Sequence, residues 1–159
     1  MKEDPSELWH QVGKTLWLVQ LAEYALVYFA VANRYPKPLT EDELEKVFVK
    51  QFKPSIGIII GNLRTANLLT ATTDKALSSF VDERNWLAHH IRRENHGDLY
   101  HEQKYQSLIS RLISLQETSK TIATQIEIWL DRWAQGRGMS KETLDAEAER
   151  IVFPIIYRT

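Results

Sequence analysis

The chain contains no cysteine. That absence removes disulfide scaffolds, thiolate metal sites and cysteine nucleophiles together, and it suits the cytosol. Glycine and proline are scarce, 6 and 5 among 159 residues, so the sequence carries few breaks and favours long uninterrupted elements. Neither sign of charge dominates: 20 Lys and Arg face 21 Asp and Glu, for a formal net charge of −1. A protein that coats polyanions is strongly basic, so any contact with nucleic acid here is local. Also missing are a glycine-rich phosphate loop, Gly-x-Ser-x-Gly and His-Glu-x-x-His. No segment resembles an export signal, since Met1-Lys2-Glu3-Asp4-Pro5 is charged and leads directly into a helix. The most apolar run, Trp17 to Ala32, falls short of the ~18–20 residues of a membrane span and is interrupted by Gln20 and Glu23. A soluble, cytoplasmic protein without membrane contact is expected.

What is present points to a single all-α domain over residues 1–159. Hydrophobic residues make up 43% of the chain, enough for a core. Asp4 and Pro5 have the cap and first-turn chemistry of a helix start, and Leu8, Val12, Leu16, Val19, Glu23, Leu26, Val27 and Ala30 follow at helical spacing up to Pro36. Tyr24 to Ala32 is apolar nearly all round, which predicts burial on more than one side, one of them against a second subunit. Thr40-Glu41-Asp42-Glu43 is a capping-box pattern and predicts a short helix to about Phe52. Ser55 to about Thr65 reads as another short helix, with Ile58-Ile59-Ile60 open to a strand reading that finds no partner elsewhere. Thr72 or Thr73 caps a helix over about 74–93, and Asn95-His96-Gly97-Asp98 forms a turn. A very long helix then runs from about Leu99 to Ala134, with Leu108, Leu112, Leu115, Ile122, Ile126, Trp129 and Trp133 as its buried stripe. Ser140 begins a last short helix, and the apolar tail Val152 to Tyr157 within residues 140–159 must dock on the bundle or a partner. The expected architecture is an up-and-down helical bundle with long first and penultimate helices.

Chemistry concentrates in Glu83-Arg84-Asn85-Trp86-Leu87-Ala88-His89-His90. Arginine is permanently charged and presents a planar fork that fits phosphate. Histidine exchanges protons near neutrality. Together they can hold a phosphodiester and move protons on it without a metal. On an ideal helix of ~100° per residue, Asn85 and His89 share a face, whereas Arg84 and His89 stand ~140° apart. A single helix does not obviously aim both groups at one phosphate; two copies packed across a dimer axis could. Glu23, at a core position of the first helix, must be paired or neutralised. Arg84 is its natural partner, in an orienting or structural role rather than a catalytic one.

The order Arg84, Asn85, three residues, His89 resembles the Arg-polar-x3-His signature of HEPN domains, which are small all-α bundles, many of them metal-independent ribonucleases with a composite site at a dimer interface. The resemblance implies a HEPN-like homodimer that cleaves single-stranded RNA by attack of the 2′-hydroxyl. Arg84, Asn85 and His89 would be catalytic, Glu23 supporting, and His90 the alternative to His89 in a longer form of the motif. It implies no cofactor and no metal, a place in a toxin–antitoxin or phage-defence system, and an antitoxin protein as partner. The alternative it leaves open is a non-catalytic HEPN-like module that binds nucleotides or proteins. The chain departs from HEPN toxins paired with nucleotidyltransferases, where a tyrosine often lies two residues after the histidine; Ile91 stands there. The basic flank Arg92, Arg93, His96, His101 and Lys104 is offset by Glu94, Asp98 and Glu102. Weaker signals are a metal cluster at His96, Asp98 and His101, and magnesium-type carboxylates at Glu41-Asp42-Glu43 and Asp145, Glu147 and Glu149. Trp9, Trp17, Trp86, Trp129 and Trp133 are spaced for packing in the core or at an interface.

Overall fold

The computed structural model describes residues 5–35, 42–43, 46–47, 50, 55–94, 101–136 and 138, save the side chains of Pro5, Arg92 and Glu94. Among these the protein is all-α. Helix α1 spans Pro5–Arg34, α2 Ile56–Thr65, α3 Ala71–Asn85 and α4 Glu102–Gln135. A π-helical turn, Trp86–His90, continues α3 without a break, and Ile91–Glu94 returns to α-helix. The described residues between 42 and 50 are helical, on the segment predicted from the capping box. The predicted turn at 95–98, the last short helix, the apolar tail and the Asp145 carboxylate group lie outside the described residues.

The boundaries follow local chemistry. Ile58-Ile59-Ile60 is helical, and Ile56, Ile59, Ile60 and Leu63 bury one face of α2. Asn67 ends that helix in the left-handed region, with φ 56°. Leu68 N–H then donates to Leu63 O at 3.1 Å and Asn67 N–H to Arg64 O at 3.0 Å, the paired bonds of a Schellman stop. The cap of α3 is Thr70, whose Oγ1 accepts from Thr73 N–H at 3.2 Å, so this helix starts earlier than Thr72 or Thr73 would have it. Arg64 donates from Nε to both carboxylate oxygens of Asp74, at 2.9 and 3.0 Å, which clasps α2 to the first turn of α3. His101 is extended, φ −123° and ψ 111°, and α4 begins at Glu102, three residues after the predicted Leu99.

The core is a continuous cluster from α1, α2, the motif helix and α4, including Leu26, Val27, Ile60, Phe80, Trp86, Leu87 and Leu112. Helices α1 and α4 form its longest seam. Gln116 Nε2, buried on α4, donates to Gln11 Oε1 at 2.8 Å and to Thr15 Oγ1 at 3.0 Å. Further along both helices the Trp129 ring meets Phe29 edge-on, with centroids 4.4 Å apart. These contacts come in the same order on both helices, so α1 and α4 run side by side in the same direction.

The buried face of α1 differs from the one its apolar residues suggest. Leu8, Val19, Leu26 and Val27 are buried, but Thr15 and Ala22 complete the stripe, and Leu16 is 41% exposed. The helix is apolar on several sides, so spacing alone does not choose a face; the buried pair Thr15–Gln116 does. By length and composition α1, from Ser6 to Arg34, also meets the requirement for crossing a membrane, which the shorter count from Trp17 to Ala32 did not, and 33% of its most apolar stretch is buried inside the protein.

Candidate functional site

The site is built where α3 widens. Ile91 N–H reaches back five residues to Trp86 O instead of four. A wider turn advances each residue by roughly 80° rather than the ~100° of an α-helix. Taking Asn85 as the reference direction, an α-helix would place Arg84 at about −100°, His89 at about +40° and His90 at about +140°. Across the π turn His89 moves to about −30° and His90 to about +50°. His89 thereby swings to the Arg84 side of Asn85, and the angle between Arg84 and His89 shrinks from ~140° to roughly 70°. The obstacle to a shared target that an ideal helix poses is thus halved within one chain.

Arg84 is anchored from two directions. Its Nε donates to Glu23 Oε1 of α1 at 2.6 Å, and its Nη1 donates to Asn85 Oδ1 at 3.2 Å. The Glu23 contact lies within one chain. The side chains of Arg84 and Glu23 are 30% and 23% exposed, so the pair sits at a rim, shielded but open to a ligand. Arginine carries five donors, and these two bonds leave the guanidinium with further donor capacity. Asn85, through its carbonyl oxygen, braces the guanidinium, so its amide group points away from Arg84.

The two histidines differ. His89 is exposed and His90 half-buried. Their rings stand nearly perpendicular, with centroids 6.3 Å apart. His90 Nδ1 lies 2.7 Å from Nη2 of Arg93, one turn on. Sequence reading placed Arg93 only in a basic flank; the i, i+3 spacing to His90 was the signal for this contact.

A second ion pair holds the motif helix to α4. Arg111 donates from Nε to Glu83 Oε2 at 2.7 Å and from Nη2 to Glu83 Oε1 at 2.9 Å. The same guanidinium lies over the Trp86 ring, 3.7 Å from its centroid. Trp86 is buried, and its Nε1–H has no hydrogen-bond partner among the described residues. Trp86, the first residue of the π turn, is therefore a packing residue. Trp129 and Trp133 are half-buried neighbours on α4, whereas Trp9 and Trp17 are 67% and 64% exposed.

Other candidate positions stay apart from this site. Among the described residues no three His, Asp or Glu side chains converge as a metal site. His101 is exposed at the start of α4, while His96 and Asp98 lie outside the described residues. Asp42 and Glu43 are exposed on their helical segment, and Glu41 lies outside. A cleft between the end of α1 and α2, lined by Asn33, Arg34, Asn62 and Leu68, contains none of the motif residues. The HEPN resemblance rests on the motif and the all-α layout alone: no protein-family model, no curated protein and no solved structure matches this chain.

Proposed function

We propose that the protein is a metal-independent endoribonuclease of HEPN type, acting on single-stranded RNA in the cytoplasm. The observation that carries this reading is the anchored Arg84, held by Glu23 at 2.6 Å and by Asn85 at 3.2 Å, at the head of a π turn that brings His89 round to its side. A fork of donors beside a proton-carrying ring is what transesterification of a phosphodiester needs.

In this mechanism Arg84 binds the phosphate and stabilises the charge that grows on the phosphorane. Asn85 steadies the guanidinium. His89 takes the proton of the 2′-hydroxyl as the 2′-oxygen bonds to phosphorus. The bond from phosphorus to the 5′-oxygen breaks, and that oxygen receives a proton from His89 of a second copy across a homodimer interface. The products are a 2′,3′-cyclic phosphate and a 5′-hydroxyl end. The setting is a toxin–antitoxin or phage-defence system with an antitoxin protein as partner. No membrane is involved; the bonds from Glu23 to Arg84 and from Gln116 to Gln11 and Thr15 tie α1 to the bundle and support this.

The test is cleavage in excess EDTA. Single-stranded RNA should be cut, and RNA with blocked 2′-hydroxyls should survive. Cleavage that appears only with added magnesium would sink the mechanism. One observation favours a second reading, a non-catalytic binding module of the same fold: two of the donor atoms of Arg84 already serve Glu23 and Asn85. Under that reading no RNA is cut although the fold and the dimer are intact.

A further inference from the structure

Two contacts set the rotation of the motif helix against α4, and both come from Arg111. Its Nε and Nη2 donate to the two carboxylate oxygens of Glu83, at 2.7 and 2.9 Å, and its guanidinium lies 3.7 Å from the centroid of the buried Trp86 ring. A bidentate pair fixes direction as well as distance, and a cation over an indole face adds attraction. From the other side, Glu23 of α1 accepts from Arg84. The consecutive residues Glu83 and Arg84 are thus tied to opposite neighbours, so the helix before Trp86 cannot rotate without breaking one of the ties.

The residues after Trp86 are placed by the register. Measured from Asn85, Glu83 points to about +160° and Trp86 to roughly +80–100°. These two directions bound the sector that meets Arg111. Across the π turn Ile91 falls inside it, at roughly +130°, and His90 outside it, at about +50°. An unbroken α-helix would exchange them: His90 would enter the sector at about +140°, and Ile91 would move to about −120°, next to the direction of Arg84. A fixed guanidinium charge there disfavours a ring that can carry a proton, and does not disfavour an aliphatic side chain. Ile91 is packed against the core. A π turn is rare and must be stabilised by its surroundings, and the clamp at Arg111 discriminates in its favour.

We infer that Arg111 is a positioning residue: it holds the motif helix in the π register and so keeps His89 on the Arg84 side of Asn85. That the register serves catalysis rests on the ribonuclease reading; the hold on the register does not.

The register is read by couplings across hydrogen bonds in the NMR spectrum of the deuterated full chain. In wild type the Ile91 amide should couple to the Trp86 carbonyl. In Arg111→Met, which keeps an apolar stem and loses the charge and the fork, it should couple to the Leu87 carbonyl, the α-helical acceptor. The Arg111 side chain is 42% exposed, so this variant should fold. Arg111→Lys, with the charge but without the fork, should show both acceptors. A wild-type coupling to Leu87 would overturn the inference, as would a coupling to Trp86 that persists in Arg111→Met. Should Arg111→Met fail to fold, Glu83→Gln weakens the same clamp and must move the coupling toward Leu87; no movement would overturn the inference equally. Cleavage kinetics read the positioning. Arg111→Met should lower kcat by roughly 10- to 100-fold, the effect of a misdirected group, and leave KM within about twofold, because Arg84 and Asn85 are untouched. Arg111→Lys should recover part of kcat. A raised KM with kcat kept would make Arg111 a strand-binding residue, and an unchanged kcat with a shifted register would make the register idle; either refutes the positioning role. If the wild-type protein cuts no RNA, the ribonuclease reading fails separately, and the Ile91 coupling still decides whether Arg111 holds the register.

Discussion

Arg84 needs a counter-charge because it sits on a helix face that packs toward α1, and Glu23 supplies one at 2.6 Å. Both side chains are between a fifth and a third exposed. The pair therefore lies between a surface ion pair, worth ~0–1 kcal/mol, and a buried one, whose rupture costs ~3–5 kcal/mol. Glu23→Gln should destabilise the fold by about 1–3 kcal/mol, measured by urea denaturation. An unchanged unfolding midpoint would mean that the pair does not hold the helices. His89 makes no such contribution to packing, being exposed. His89→Ala should leave the unfolding midpoint in place and reduce RNA cleavage by roughly 10²–10⁴-fold, the usual contribution of a positioned acid or base. Arg84→Lys separates the two functions of the arginine, since it keeps the charge facing Glu23 and loses the fork. It should fold nearly as well as wild type and cut RNA poorly. Cleavage at the wild-type rate by either variant would remove that residue from the chemistry.

At the scale of the elements, α2 and α3 are joined by devices that act independently: the Schellman stop at Asn67, the Thr70 cap, and the Arg64–Asp74 clasp. The clasp is sensitive to acid. Hydrogen bonding from Arg64 is the largest influence on Asp74 and holds its carboxyl below the ordinary aspartate value. A carboxyl lowered in the folded state stabilises the fold above its unfolded pKa, and that contribution is lost as pH falls through the folded value. The stability difference between wild type and Asp74→Asn should thus be present at neutral pH and fade below about pH 4; a difference constant down to pH 2 would show that the clasp contributes nothing through its charge. Much at this scale was legible in the sequence. Proline, glycine and apolar spacing marked α1, α2, the motif helix and α4, and the need to neutralise a core carboxylate pointed from Glu23 to Arg84. Three threonines within four residues hid which one caps α3. The face of α1 was illegible because apolar residues surround it, so Leu16 looked as well placed for the core as Thr15, and only the partner Gln116 decides. The π turn left no mark either. A wider turn needs no particular residue, only surroundings that reward shifting one register, here the buried Trp86 under Arg111. The line-up of Arg84, Asn85, His89 and His90 could be read from the sequence, but their directions could not.

At the scale of the whole molecule, the described residues leave an apolar surface open on α1. Trp9, Leu16, Trp17 and Leu21 are exposed on the part of α1 that precedes Ala22, in directions within roughly 140° of one another. Val27 and Val31 continue the same side further along, and there they are buried. This places the open surface earlier on the helix than the Tyr24 to Ala32 stretch, whose residues are buried or half-buried. Glu23 lies at its edge, at about −40° from Trp9, so a partner seated on the tryptophans would come up against the Glu23–Arg84 pair. Tryptophan buries ~150–250 Å² when covered, and a stable interface takes about 800 Å² from each partner. Two tryptophans and two leucines thus provide much of what a homodimer needs. Light scattering at micromolar concentration should give twice the mass of the chain. Trp9→Glu combined with Trp17→Glu should yield a folded monomer, because neither side chain is in the core and each charge would have to be desolvated on association. If cleavage depends on a composite site, that monomer should lose activity although Arg84, Asn85 and His89 are untouched, and a mixture with an excess of His89→Ala chains should not restore it. A wild-type monomer would separate the surface from the site and leave the chemistry to one motif helix, whose π turn would then have to bring Arg84 and His89 to the same phosphate unaided.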